Sequence, residues 1–370
     1  MKVRTYLLLL VLVLGGLGIG AFLQFNSPSS QAAPVSEKTT SPIDKMPASE
    51  GDVREIPANA LFCAKSYDAI CKAAPVADPT GETSLDYRGE IRALRVLRRI
   101  VRTNPGWTTE QIENELVARI YTKERKDKLN RIFEGVRREL VDLINQQSSQ
   151  IFTGTDKDVL IGRIHKVMLE LPENRETYSD ATDLYTKSEI YYERSHEGEL
   201  RVRVGGAYVL NTSSEFSIIF TMAHELAHAI DPCEIQHGAP MNYGVYEGLV
   251  QCFVDNQWIK KEEAQCGNKD KTSEVFADWL GSEILARSIK KQSKYTLKDK
   301  VNAAVNAVRD LCDDSSGFEK VNLDYYPTDI IRVKGIFARN ALLRKELQCT
   351  TSPTPKPYCR FEPPKAKGRL

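Results

Sequence analysis

His224-Glu225-Leu226-Ala227-His228 is the stretch of this chain with the clearest chemical content. On a helix, residues four apart share a face, so both imidazoles can address one metal ion. Glu225 sits beside them, where a carboxylate can take a proton from a metal-bound water. The chain has only five histidines, and two of them fall at this spacing. The flanking residues read as a helix with a buried side. Thr212 and Glu215 form a capping-box pattern at its start. Phe216, Ile219, Ala223, Leu226 and Ile230 recur at helical spacing, and Asp231-Pro232 ends the pattern.

Two histidines leave a catalytic zinc site short of its third protein ligand. Glu234 stands where one class of zinc site places that ligand, but the glycine expected before it is Asp231, and His237 matches no zinc spacing. A better candidate lies on a second helical stretch, residues 273–281. Glu274 and Asp278 are four apart and share a face. One carboxylate can bind the metal, and the other can accept the free ring N–H of a ligating histidine and fix its tautomer. The expected centre is therefore one zinc ion per chain on His224, His228 and Glu274. Glu225 is the expected general base, and Asp278 the group that orients a histidine.

These motifs resemble the neprilysin family of zinc metallopeptidases, within the glutamate-ligand zincins. HExxH followed by Glu-x-x-Ala-Asp-x-x-Gly carries the resemblance, and other segments extend it. His228-Ala229-Ile230-Asp231 is similar to the family's His-x-Phe-Asp. Gln251-Cys252-Phe253-Val254 is similar to its Gln-Cys-Met-Val, and Arg332-Val333-Lys334-Gly335 to its Arg-Val-Asn-Gly. Cys63 and Cys71 resemble its opening Cys-x7-Cys, while Cys312, Cys349 and Cys359-Arg360-Phe361 follow its C-terminal cysteine order. The resemblance implies a zincin-like catalytic domain with a small sheet, and so a mainly helical α+β fold. It also implies disulfides Cys63–Cys349, Cys71–Cys312 and Cys252–Cys359, leaving Cys233 with Cys266.

The chain departs from the family in three places. The large helical lobe is reduced to residues 85–200, ahead of a catalytic half at 201–361. The substrate-clamping Asn-Ala dipeptide is missing before the strand-like runs Arg201–Val204 and Tyr208–Leu210. Tyr325-Tyr326-Pro327 replaces the family's His-x-Pro, so Tyr325 stands where a transition-state histidine would be. Tyr325 and Arg332 are the candidates to stabilise an oxyanion or hold the substrate backbone.

The elements that must position these residues are mostly helical. Thr108-Thr109-Glu110-Gln111 reads as a helix start. Residues 128–146 and 156–171 carry helical periodicity, the latter ending at Pro172, and 283–312 is again helical. The Arg-rich run from Arg88 to Arg102 carries Ile91, Leu94, Leu97 and Val101 at helical spacing and reads as a solvated helix face. Residues 173–200 are polar and tyrosine-rich and read as irregular.

The chain has 370 residues and a net charge of +1, so no field draws in nucleic acid. Residues 1–32 begin with Lys2 and Arg4, continue as an apolar run and end in small residues. They read as a signal peptide or a membrane anchor, with 33–59 a disordered linker, 60–361 the metallopeptidase domain and 362–370 a tail. The eight cysteines, all beyond this segment, point to an exported, periplasmic or extracellular protein. The function expected is a zinc-dependent endopeptidase acting on a peptide or protein substrate. Two alternatives stay open: a zinc aminopeptidase, and a binding or scaffold protein that keeps the fold without turnover.

Overall fold

Helical periodicity dominates the chain, and the folded architecture follows it. The computed structural model describes residues 59–74, 77, 79, 89–173, 187–212, 214–238, 241, 244–264, 266, 271–312, 326–350 and 357–363. The expected targeting segment and almost all of the expected linker lie outside the described residues, as does Tyr325. Helix α1 (Ala60–Tyr67) runs into a π-helical turn, Asp68–Lys72. Helices α2 (Gly89–Thr103), α3 (Thr109–Ile120), α4 (Lys123–Asn145) and α5 (Gly154–Lys166) follow. Thr108 caps α3 as its sequence predicts: its hydroxyl accepts from the Gln111 N–H, and the Gln111 side chain accepts from the Thr108 N–H.

The arginines of α2 are exposed, as a solvated helix face predicts, while one expectation about α5 needs correction. The side of α2 turned to the core carries Ala93 and Ile100, while Leu94 and Val101 are exposed. Leu97 is half-buried against the small cluster formed by Ile100, Leu116 and Ile120. Helix α5 stops at Lys166 instead of running to 171. Val167 turns extended, and β1 (Met168–Glu170) pairs in parallel with β3 (Leu200–Val204).

The sheet has three strands in the order β1-β3-β2. Strand β2 (Ile190–Arg194) arises within the segment read as irregular and pairs antiparallel with β3, Tyr192 lying opposite Val202. It is an edge strand. Gly205 N–H bonds the Glu189 carbonyl, so the alternate backbone groups at Ile190 and Tyr192 point away from β3. The expected strand at Tyr208–Leu210 is instead helix α6 (Gly206–Asn211). Extended Gly205 caps it, and burial of Ala207 and Tyr208 outweighs the strand propensity of Tyr-Val.

Helix α7 (Glu215–Ala227) carries the histidine motif. Its cap is Ser214, whose hydroxyl accepts from the Ser217 N–H, and not Thr212. A 3-10 turn, His228–Ile230, follows, then α8 (Pro232–Gly238), α9 (Gly244–Asp255), α10 (Lys271–Lys291) and α11 (Leu297–Ala307). A π-helical run, Ile330–Ile336, and α12 (Ala341–Glu346) complete the described elements. The result is mainly helical with one small sheet.

The main core joins α4, α5, the sheet, α7, α9 and α10, and includes Phe133, Val202, Leu226, Phe253, Phe276 and Phe361. A second cluster joins α1, the far end of α10, α11 and α12. Four disulfides tie the chain together: Cys63–Cys349, Cys71–Cys312, Cys233–Cys266 and Cys252–Cys359. This is the pairing that the family resemblance implies, and it suits an oxidising compartment. No helix among the described residues is long and apolar enough to cross a membrane.

Candidate metal centre

Helices α7 and α10 pack closely, and Gly281 allows it. A Cβ at this position would sit 3.2 Å from Phe220 Cε2 and 3.5 Å from the His224 nitrogen. The close approach brings the first turns of α10 over the histidine motif. His224 lies in the last turn of α7, and His228 opens the 3-10 turn with helical dihedrals, φ −60° and ψ −25°. The two rings therefore keep the i, i+4 relation, with centroids 5.1 Å apart.

His224, His228 and Glu274 each offer a ligand atom, and the three atoms lie within 4.8 Å of one another. His224 Nε2 is 3.2 Å from Glu274 Oε2, and His228 Nε2 is 3.8 Å from Glu274 Oε1. Ligands about 2.0–2.1 Å from a tetrahedral ion are separated by roughly 3.3–3.4 Å, so these spacings suit a small divalent cation. Glu274 Oε2 is buried and makes no hydrogen bond. An unsatisfied carboxylate oxygen facing an imidazole nitrogen is the donor set that such a cation completes.

The outer ring nitrogens are both engaged. Asp278, 1 % exposed, places Oδ1 3.0 Å from His224 Nδ1. Arg332 grips the same carboxylate, with Nε 2.7 Å from Oδ2 and Nη2 2.8 Å from Oδ1. Burial alone would raise the Asp278 carboxyl, but the Arg332 charge and the bonds from His224 and Arg332 outweigh it and hold the pKa below the usual carboxylate range. The ionised carboxylate only accepts, so the His224 Nδ1–H donates and Nε2 faces the centre.

His228 Nδ1 lies 3.3 Å from Asp231 Oδ2 and 3.1 Å from Ser273 Oγ, and the Ser273 hydroxyl donates to Asp231. Asp231 has a second task. Its Oδ1 accepts the N–H groups of Cys233 and Glu234 at 2.8 and 2.7 Å, capping α8 behind Pro232. One carboxylate thus ends the motif helix, starts the next helix and orients a candidate ligand.

Glu225 is buried beside the cluster, and its Oε2 accepts the Tyr192 N–H of edge strand β2 at 2.8 Å. Burial raises its pKa against the opposing pull of the two histidines. For His224, burial favours the neutral ring, but Asp278, Glu274 and Glu225 outweigh it and raise the pKa to about 10. Four carboxylates, Asp231, Glu225, Glu274 and Asp278, around two imidazoles and one guanidinium call for positive charge at the centre, and a divalent cation on the inward nitrogens would supply it.

A cavity of about 390 Å³ opens over the centre, lined by Ile190, Tyr192, Glu225, His228, Glu274 and Tyr326 among others. Tyr326 stands next to the expected Tyr325, which lies outside the described residues, and its ring is 5.1 Å from the Arg332 guanidinium. Arg332 reaches the centre through Asp278. Glu234 lies outside the ligand cluster, paired with Arg163 and Arg194 at 2.6 and 3.0 Å.

Tyr192, Ser273 and Tyr326 are site residues to which the sequence assigned no role, and to Asp231 it assigned only the end of the motif helix. The β-branched and aromatic run Ile190-Tyr191-Tyr192 is the signal for the strand. Asp231 and Ser273 flank the ligands in sequence, yet their meeting depends on the fold. No protein-family model and no curated protein matches the chain.

Proposed function

We propose that the chain is an exported zinc-dependent endopeptidase with a zincin-like, neprilysin-related catalytic domain. The observation that carries this reading is the convergence of His224, His228 and Glu274 ligand atoms within 4.8 Å, with Glu225 beside them and an edge strand alongside. Zinc held by these three residues supplies a Lewis acid for the scissile carbonyl and a more acidic bound water. The remaining steps fall to this chain's own groups.

An extended peptide pairs with the outer edge of β2, where Ile190 turns its N–H and carbonyl outward and Tyr192 its carbonyl, the Tyr192 N–H being held by Glu225. That pairing lays the scissile bond across the cavity. Glu225, fixed through Oε2, uses its other oxygen to take the proton of the attacking water and then delivers it to the leaving amine. The raised pKa of a buried carboxyl suits both transfers. The Tyr326 phenol, in the same cavity, donates to the oxygen that gains charge in the tetrahedral transition state. Asp278 and Asp231 hold the imidazoles in orientation, and Arg332 holds Asp278.

The test is cleavage of a peptide blocked at its N-terminus by purified protein, alongside a Glu225→Gln variant. Internal cleavage that falls by about 10²–10⁴-fold in the variant, with zinc content unchanged, is the expected result. Equal cleavage by both proteins would sink the reading. Cleavage only of unblocked peptides, one residue at a time, would make it an aminopeptidase.

A further inference from the structure

Far along the chain from the histidine motif, five arginines converge on one concavity. Arg92, Arg95 and Arg99 follow one another at spacings of three and four on α2, and so share a face. Arg119 from the last turn of α3 and Arg125 from the first turn of α4 close the same space, with Leu210 as an apolar wall. The cavity is about 370 Å³, and no acidic side chain lines it.

Three of the guanidinium groups are held by local contacts. Arg92 Nη1 is 3.1 Å from the Leu210 carbonyl. Arg125 Nη1 donates to the carbonyls of Arg119 and Ile120 at 3.0 and 2.9 Å, capping the end of α3. Arg119 Nε is 2.7 Å from Glu115. Arg95 and Arg99 pair with no carboxylate among the described residues. The chain as a whole carries a net charge of only +1, so this is a local excess of positive charge.

Arg95 and Arg99 bring like charge to a space that three more guanidinium groups line, and such charges repel each other unless an anion joins them. Planar guanidinium forks match the oxygens of a phosphate group. The volume falls at the small end of the range for ligand pockets, about 300–1,000 Å³. No aromatic side chain lines the cavity, so the stacking platform used for single-stranded nucleic acid is missing. We propose that this concavity binds a phosphate-bearing anion, carried by a soluble compound or by a phospholipid headgroup.

The experiment titrates the full chain with inorganic pyrophosphate by calorimetry, and in parallel measures its binding to vesicles with and without phosphatidylglycerol. Wild type is compared with Arg95→Gln/Arg99→Gln and with Arg98→Gln/Arg102→Gln. The second pair removes equal charge from exposed positions of α2 outside the concavity. Glutamine matches arginine in helix propensity, and superimposable melting curves check that both variants fold. The expected result is saturable binding that the first pair weakens by ~tenfold or more, and the second by less than ~twofold. Pyrophosphate binding assigns a soluble ligand, and a response to phosphatidylglycerol vesicles alone assigns a headgroup. Equal weakening by both pairs, or no binding of either probe, overturns the proposal.

Discussion

Arg332 and Asp278 meet fork to fork, Nε at 2.7 Å from Oδ2 and Nη2 at 2.8 Å from Oδ1, while Oδ1 also receives His224 Nδ1 at 3.0 Å. The chain of contacts runs from a π-helical segment, through a carboxylate on α10, to a candidate ligand on α7. Removing Arg332 leaves Asp278 buried and uncompensated. Arg332→Met is expected to lower folding stability by about 3–5 kcal/mol and to weaken metal binding by about 10–100-fold. Urea unfolding of the disulfide-intact protein and zinc competition with a chelator measure the two effects. If Arg332 only held substrate, neither quantity would move.

Gly281 sets the distance between the helices that carry the candidate ligands. Gly281→Ala places a Cβ 3.2 Å from Phe220 Cε2, which the ring can relieve by a small shift, and a gain in helix propensity of about 1 kcal/mol offsets the strain. Gly281→Val adds branches with no space to occupy. It is expected to cost about 1–3 kcal/mol and to weaken metal binding, because Glu274 moves away from the histidines with the rest of α10. Melting temperature and zinc content of the two variants provide the comparison. Full zinc occupancy in the valine variant would show that the helix spacing does not control the centre.

The ligand cluster was legible because its chemistry sits in two short helical stretches, and i, i+4 spacing survives folding. His224, His228, Glu274 and Asp278 are therefore brought together as their sequence predicts. Other features depend on partners distant in sequence. Strand β2 exists because β3 pairs with it, and its own Tyr-rich residues carry a weak signal. Tyr208–Leu210 reads as a strand by propensity, yet packing around Gly205 and buried Tyr208 makes it a helix. Ser273 meets Asp231 across a sequence distance that the Cys233–Cys266 disulfide helps to span.

Glu283, on α10 away from the candidate centre, accepts a hydrogen bond from Asn340 Nδ2 at 2.7 Å. Burial pushes its carboxyl up to about 7 from 4.5, outweighing Arg287 and Asn340. The folded chain thus binds this proton more tightly than the unfolded one. Its contribution to stability is complete below pH 4.5 and is lost as pH rises through about 7. The upper bound is about 3 kcal/mol. Glu283→Gln keeps a neutral hydrogen-bonding side chain at every pH. Its stability relative to wild type is therefore expected to increase between pH 4.5 and 8. Chemical denaturation at both ends of that window tests this, and a difference that does not change with pH would remove Glu283 from the account.

Under the peptidase reading, the Tyr326 phenol donates to the oxyanion where the resembling family uses an imidazole, and the difference in chemistry has a consequence for pH. Burial and the nearby Glu274 and Glu225 charges raise the phenol well above its ordinary value, with Arg332 opposing. The group stays protonated across the working range and can donate throughout it, whereas a histidine would lose its extra proton near neutrality. Tyr326→Phe removes the hydroxyl and keeps the ring against Arg332. Loss of one oxyanion donor typically lowers kcat by about 10²–10³-fold, with little effect on substrate binding. Zinc content is expected to be unchanged, since Tyr326 is not among the ligand atoms. Tyr326→His offers the complementary measurement: partial activity, with an added fall in kcat as pH rises through the histidine range. A Tyr326→Phe enzyme with wild-type kcat would exclude the phenol from the transition state and return the role to a residue elsewhere in the cavity.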